Sequence, residues 1–225
     1  MTNSHPPCPA GFSAGRAVAF ALMLILIGTG LAGCIDFKSA PRKIRYYSLE
    51  YDPPTAQTRR PLSAVLRVER FQVSPYYDTN KMVYRDAAFL RDAYLFHKWW
   101  ARPGDIVSHF LARDFEESNR FKGVFALDRS MPATHVLEGT VEEFCEYDKI
   151  DSAYARLKVS LTLMAADEPD VSRRIYMQRQ YRSEQPMADR TPLALAEAMS
   201  RAMADISRRI ITDVHQRIAL GFEGD

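Results

Sequence analysis

Along this chain, apolar residues first run together, then alternate with polar ones, and finally recur at every third or fourth position. The clearest alternation covers residues 154–163. Ala155, Leu157, Val159, Leu161 and Leu163 share one parity, and Arg156, Lys158, Ser160 and Thr162 the other. This is the pattern of a strand with one buried and one wet face. Residues 135–145 behave alike, with Leu137, Gly139 and Val141 opposite Glu138, Thr140 and Glu142. Shorter apolar or aromatic runs predict strands over 45–51, 64–73, 81–85, 93–100, 123–127 and 171–182, separated by Asp52-Pro53-Pro54, Ser74-Pro75 and the turn at Asp167-Glu168-Pro169-Asp170. Within 64–73, Val65, Arg67, Glu69 and Phe71 face one way, Leu66 and Val68 the other.

Two stretches carry the helical period. Pro103 suits a first helical position, and Asp105 places negative charge in the first turn, where the helix dipole favours it. Ile106, Val107, Phe110, Leu111 and Phe115 give that helix one apolar face, and Gly123 is read as its stop. The longer helix is predicted over 192–220, capped by Thr191, opened by Pro192 and ended by Gly221. Leu195, Met199, Ala202, Ile206, Ile210, Val214 and Ile218 draw one apolar stripe along it, with Glu197, Arg201, Arg208 and Arg217 opposite. Such a stripe packs on a sheet. The expected architecture is one α/β (α+β) domain over 45–221, a mainly antiparallel or mixed sheet with two main helices laid on it.

The run-together stretch lies near the N-terminus. Arg16 supplies a basic start, residues 17–27 an apolar middle, and Gly28, Gly30, Ala32 and Gly33 the small residues of a cleavage site. A membrane span needs about 20 apolar residues, and this run is shorter and ends in glycines. Leu31-Ala32-Gly33-Cys34 resembles the lipobox of bacterial lipoproteins. Residues 1–33 are therefore read as a lipoprotein signal peptide, Cys34 as the acylated first residue of the working protein, and 34–44 as its tether. Acyl chains contribute about 0.8 kcal/mol per buried methylene, enough to hold a domain on a membrane with no spanning helix. Gly28-Thr29-Gly30-Leu31-Ala32-Gly33 matches a dinucleotide-binding pattern, but it lies between no strand and helix and is removed with the leader.

Charge and cysteine usage narrow the function further. The chain has 30 basic and 28 acidic residues, and only Arg16 falls in the leader. A mature chain of about 192 residues with near-zero net charge does not read as a nucleic-acid binder. Cys8 leaves with the leader and Cys34 is the anchor, so Cys145 is alone and the domain is held by packing rather than a disulfide. No hydrolase elbow or zinc-protease motif occurs. His97 and His109 lie twelve apart without neighbours at ligand spacing, and Cys145 sits among Glu142, Glu143 and Glu146, which disfavour its thiolate. That acidic run is read as a solvated strand edge. No catalytic residue, metal site or cofactor is expected beyond the acyl and diacylglycerol groups on Cys34; the protein is read as not an enzyme.

Aromatic residues are the remaining signal. Tyr76, Tyr77, Tyr84, Phe89, Tyr94, Phe96, Trp99 and Trp100 crowd one quarter of the chain. At least one of the paired tryptophans is expected in the core. Trp99, Trp100, Tyr76 and Tyr77 are the candidate partner interface, since Trp and Tyr are over-represented in binding hot spots.

The order of features resembles the ABC-type transport auxiliary lipoprotein components, the PqiC-like family. The residues that carry the likeness are Cys34, Tyr46-Tyr47-Ser48-Leu49, Val73-Ser74-Pro75-Tyr76-Tyr77-Asp78, Met82-Val83-Tyr84-Arg85 and His97-Lys98-Trp99-Trp100-Ala101-Arg102-Pro103. Arg102 departs from the family's usual acidic residue before the proline. The resemblance implies an accessory of an envelope lipid transporter, partnered by an MCE-type periplasmic protein with its ABC permease and ATPase. It implies a lipid-anchored, periplasm-facing place on the inner leaflet of the outer membrane. Ile35 rather than Asp follows the lipidated cysteine, so the common inner-membrane retention signal is absent, although Asp36 stands one place later. Self-association into a homo-oligomer stays open. A stand-alone outer-membrane lipoprotein assisting envelope or β-barrel assembly is the alternative, and a lipoprotein hydrolase comes third.

Overall fold

The structure is a computed structural model that describes residues 42–55, 61–126 and 131–222; the leader and the tether up to residue 41, Cys34 and Asp36 included, lie outside them. The elements run β1 (Arg45–Tyr47), β2 (Leu62–Val68), β3 (Gln72–Val73), β4 (Lys81–Arg85), β5 (Asp92–Trp99) and α1 (Pro103–Glu117). They continue with β6 (Phe121–Ala126), β7 (His135–Lys149), β8 (Ser152–Ala165), α2 (Val171–Arg174), β9 (Ile175–Pro186) and α3 (Pro192–Phe222). The frame is the antiparallel meander β7–β8–β9, whose strands are long enough to pair over most of their length. Along the other edge of β7 lie three short strands parallel to it: β2 beside its start, β3 beside its middle and β4 beside its end. β6 extends the sheet parallel to β2, while β5 pairs antiparallel with β4 and parallel with β1. The result is a mixed nine-stranded sheet.

Helices α1 and α3 cover one face. Their apolar stripes meet the inward side chains of β2, β7 and β8 in one core that includes Leu66, Leu137, Leu157, Leu163, Leu111 and Phe115. All seven stripe residues of α3, from Leu195 to Ile218, are buried. Thr191 Oγ1 accepts from the Ala194 amide at 3.2 Å, satisfying an otherwise orphan donor of the first turn. The N-terminus of α1 is set by close backbone approach: Ser108 Oγ accepts from the Phe71 amide at 2.8 Å and donates to the Gly104 carbonyl at 2.7 Å. Gly104 is required there, because a Cβ would collide with the Phe71 carbonyl and come 2.9 Å from Val73 Cγ2. On the uncovered face a small cluster of Tyr77, Val83 and Cys145 forms a second core. Described residues from Lys43 onward form one compact unit, and no helix among them is long and apolar enough to cross a membrane.

Several boundaries differ from the periodicity. The run 45–51 pairs only over Arg45–Tyr47. The 64–73 stretch is two strands, because the chain turns at Glu69–Phe71, and its buried parity is Ala64, Leu66 and Val68 before Phe71 turns inward as well. α1 stops at Glu117, not Gly123: Asn119 takes a left-handed φ of 51°, and Gly123 sits inside β6. Asp170 accepts from the Ser172 amide at 2.9 Å and caps a single helical turn, so the last strand starts at Ile175 rather than 171. α3 passes through Gly221 to Phe222. In β7 a register shift between Val141 and Glu143 inserts an extra residue. It switches the buried parity from Leu137 and Val141 to Phe144 and Glu146.

Candidate functional site

The Trp99-Trp100 pair sits where β5 hands over to α1. Neighbouring residues of a strand point to opposite faces, and here the two tryptophans separate completely. Trp99 is 1% exposed and meets Phe144 edge-on, with ring centroids 5.1 Å apart. Trp100 is 75% exposed and stands against Tyr46 of β1, edge-on at 5.5 Å. Its amide donates to the Tyr47 carbonyl at 2.9 Å, so the end of β1 fixes where the indole projects.

Beside Trp100 runs a cleft of about 550 Å³ between the segment 47–50 and α1, walled by Tyr47, Leu49, Ile106, His109, Phe110 and Arg113. Its walls are anchored in the core. Leu49 is plugged into the core, and the Glu50 amide donates to Ser200 Oγ of α3 at 3.0 Å. At the far side the Arg113 guanidinium lies over both Tyr51 and Phe110, 4.5 and 4.6 Å from their centroids, and pairs with Asp114 at 2.7 Å. Tyr51 donates to the buried Asp114 carboxylate at 2.7 Å; burial first, and that charge second, push the phenol far up. Tyr51 is thus a fixed donor.

The tyrosine pair also splits. Tyr77 is buried against Val83 and Cys145, its hydroxyl 3.3 Å from Arg91 Nε, whereas Tyr76 is 68% exposed with the Arg91 guanidinium 4.9 Å over its ring. Of the four aromatic residues assigned to an interface, Trp99 and Tyr77 are therefore core residues: Trp99 is the inward residue at the end of β5, and Tyr77 is folded by its turn onto Val83 and Cys145. Trp100 and Tyr76 are at the surface, on different neighbours. Arg102 pairs with Asp78 at 3.1 Å and joins the start of α1 to the Tyr76-Tyr77-Asp78 turn. Sequence reasoning missed Tyr46, His109, Phe110 and Arg113 as surface residues, since Phe110 reads as one more position of a core stripe.

Potentially reactive groups are locked into the sheet. Burial pushes the Cys145 thiol up to about 11, with Glu143 adding to it. The acidic run is not a solvated edge, because β7 is paired on both sides. Glu142 bonds Lys158 at 2.8 Å and Gln180 at 2.9 Å; Glu143 is shared by Arg85 at 3.4 Å and Arg156 at 3.3 Å. Arg156, expected on a wet face, is buried there, bonded also to Glu184 at 2.9 Å and stacked 3.5 Å over Tyr147. Glu146 is 1% exposed; burial raises its carboxyl to about 7, and Tyr94 donates to it at 2.9 Å. His97 is bonded to the Tyr47 hydroxyl through Nδ1 at 2.9 Å. Among the described residues no group of three His, Cys, Asp or Glu side chains is placed to hold a metal ion.

Against known proteins, the sequence pattern of one family, the ABC-type transport auxiliary lipoprotein component, matches residues 47–211. Among solved structures, a Xanthomonas campestris protein of the DUF330 family aligns with a TM-score of 0.72 at 14% identity, covering 80% of this chain and 99% of that one. A solved structure of an uncharacterized protein gives 0.59 at 15% identity, covering 76% and 99%. At such identities the likeness is one of fold. Among curated proteins, none matches the sequence.

Proposed function

The chain belongs to the ABC-type transport auxiliary lipoprotein component family, and we propose that it serves its transporter as a non-enzymatic docking subunit. In this reading Cys34 carries the lipid, the domain hangs in the periplasm from the inner leaflet of the outer membrane, and its partner is an MCE-type periplasmic protein with its ABC permease and ATPase. The observation that supports docking is Trp100, held out of the domain by the β1–β5 pairing beside Tyr46 and an apolar cleft. A large exposed aromatic next to a preformed apolar cleft and an arginine is the composition of a hot spot.

The test is affinity purification of the intact, acylated protein from its own membranes, with mass spectrometry of what co-elutes, repeated with Trp100→Ala. The expected result is an MCE-type protein with its ATPase and permease, reduced by roughly thirtyfold in the variant, the ratio that a hot-spot loss of about 2 kcal/mol sets. A β-barrel partner, or none across several detergents, overturns the reading.

A further inference from the structure

At the end of the sheet away from Trp100, two loop tips present apolar side chains that nothing among the described residues covers. β4 and β7 run parallel and finish together, with Arg85 level with Tyr147. The β4–β5 loop then carries Phe89, 99% exposed, followed by the exposed Leu90, and the β7–β8 hairpin carries Ile150, 95% exposed. The loops flank one open cleft lined by residues 86–88 and 147–152 with Arg190. Arg190 donates to the Lys149 carbonyl at 2.6 Å and the Ile150 carbonyl at 3.2 Å, which braces the hairpin with its isoleucine outward. Scattered exposed apolar residues need no explanation, but bare phenylalanine and isoleucine on adjoining tips form a patch that does.

The chain joins the sheet beside the second half of β5, running in the direction that leads away from the tips. β1 is parallel to β5, with Arg45 level with His97, so the start of β1 points toward the start of β5. That start, Asp92, comes two residues after Leu90. Ile44 stands only ten positions after Cys34, a reach of at most about 35 Å. A lipid on Cys34 therefore keeps the tips within reach of the bilayer, while an anchor at a single point does not by itself fix the orientation of the domain.

We infer that Phe89, Leu90 and Ile150 insert into the interface of the bilayer that carries the anchor, as a second membrane contact that fixes how the domain stands on the surface. The inference rests on the lipid at Cys34. Acidic Asp86, Asp148 and Asp151 offset Lys149 and Arg190 around the cleft, so the contact is apolar rather than a headgroup-charge contact and does not depend on the fraction of anionic lipid. It also sets Trp100, at the opposite end of β5, facing away from the membrane.

The experiment uses the full acylated chain on vesicles of phosphatidylethanolamine with varied phosphatidylglycerol. An environment-sensitive fluorophore is placed through Phe89→Cys, Ile150→Cys and, as a control at the far end of α3, Leu220→Cys; Cys145 is buried and does not label. The expected result is a blue shift and quenching by spin-labelled lipid at the first two positions, equal at all lipid charges, with the third unchanged. Vesicle-bound protein whose probes at 89 and 150 stay in water overturns the inference. So does shielding that appears without lipid as protein concentration rises, which marks contact with a second copy. Failure of the anchor reads differently: the chain then lacks the acyl mass and stays off the vesicles, and the inference falls with it.

Discussion

Replacing Glu146 by Gln removes a charge from the middle of the sheet and should flatten the pH dependence of stability. The carboxyl is 1% exposed, and burial lifts it from an ordinary 4.5 to about 7. A folded value above the unfolded one means that the folded state binds the proton more tightly. The stability tied to that proton is complete below about 4.5 and is lost as pH rises through 7. At 1.36 kcal/mol per pH unit the whole effect is about 3 kcal/mol, of which about 2.5 kcal/mol falls between pH 5 and 8. In a domain of this size that is a fall of roughly 5 to 10 °C in Tm. Glu146→Gln is neutral throughout and keeps a carbonyl to accept from Tyr94, now 2.9 Å from the carboxylate. His135 and His215, both lowered by burial, tilt the opposite way, gaining stability as pH rises. The readout is therefore the difference between wild type and variant in urea melts at pH 5, 6.5 and 8, where the histidine contributions cancel. The variant should gain on the wild type by about 2.5 kcal/mol across that range. Parallel curves would refute the reasoning, because Glu146 would then be no harder to ionise in the fold than in water.

The two tryptophans give a second comparison. Trp99→Ala should cost about 3–5 kcal/mol, read as a lowered urea midpoint, whereas Trp100→Ala should move the midpoint by about 0.5 kcal/mol or less while weakening partner recovery. Gly139→Ala should destabilise the centre of the sheet by about 1–3 kcal/mol. A Cβ there would strike the Ser160 carbonyl and the Phe71 ring, and the same melts check it, with Gly123→Ala, which meets nothing closer than 3.9 Å, as the mild control.

The elements most legible in the sequence were those where one period runs unbroken against one environment. The α3 stripe and the inward side of β8 are buried residue for residue, and β4 begins and ends where its apolar run does. What was not legible turns on a register or a neighbour. The shift after Val141 has no glycine or proline to mark it, yet it decides that Phe144 and Glu146 go inward. Alternation says that Trp99 and Trp100 part company without saying which one is covered, since that depends on β1 pairing with β5 across about fifty residues. Arg156 looks like any wet-face arginine until Glu143, Glu184 and Tyr147 are brought around it from three different strand positions. The same ignorance of partners left the cleft beside Phe110 unseen.

The three-residue strand that joins tether to domain has a mechanical meaning. Tension arriving through residue 44 runs along the axis of β1, which lies parallel to β5. It loads the few hydrogen bonds of that pair together in shear rather than peeling them one by one. Behind them the next links in line are Leu49, seated in the core, and the Glu50 amide tied to Ser200 of α3. A pull on the anchor is thus passed from a short strand to the longest helix, and the domain bears force as a whole instead of unravelling from its tethered end.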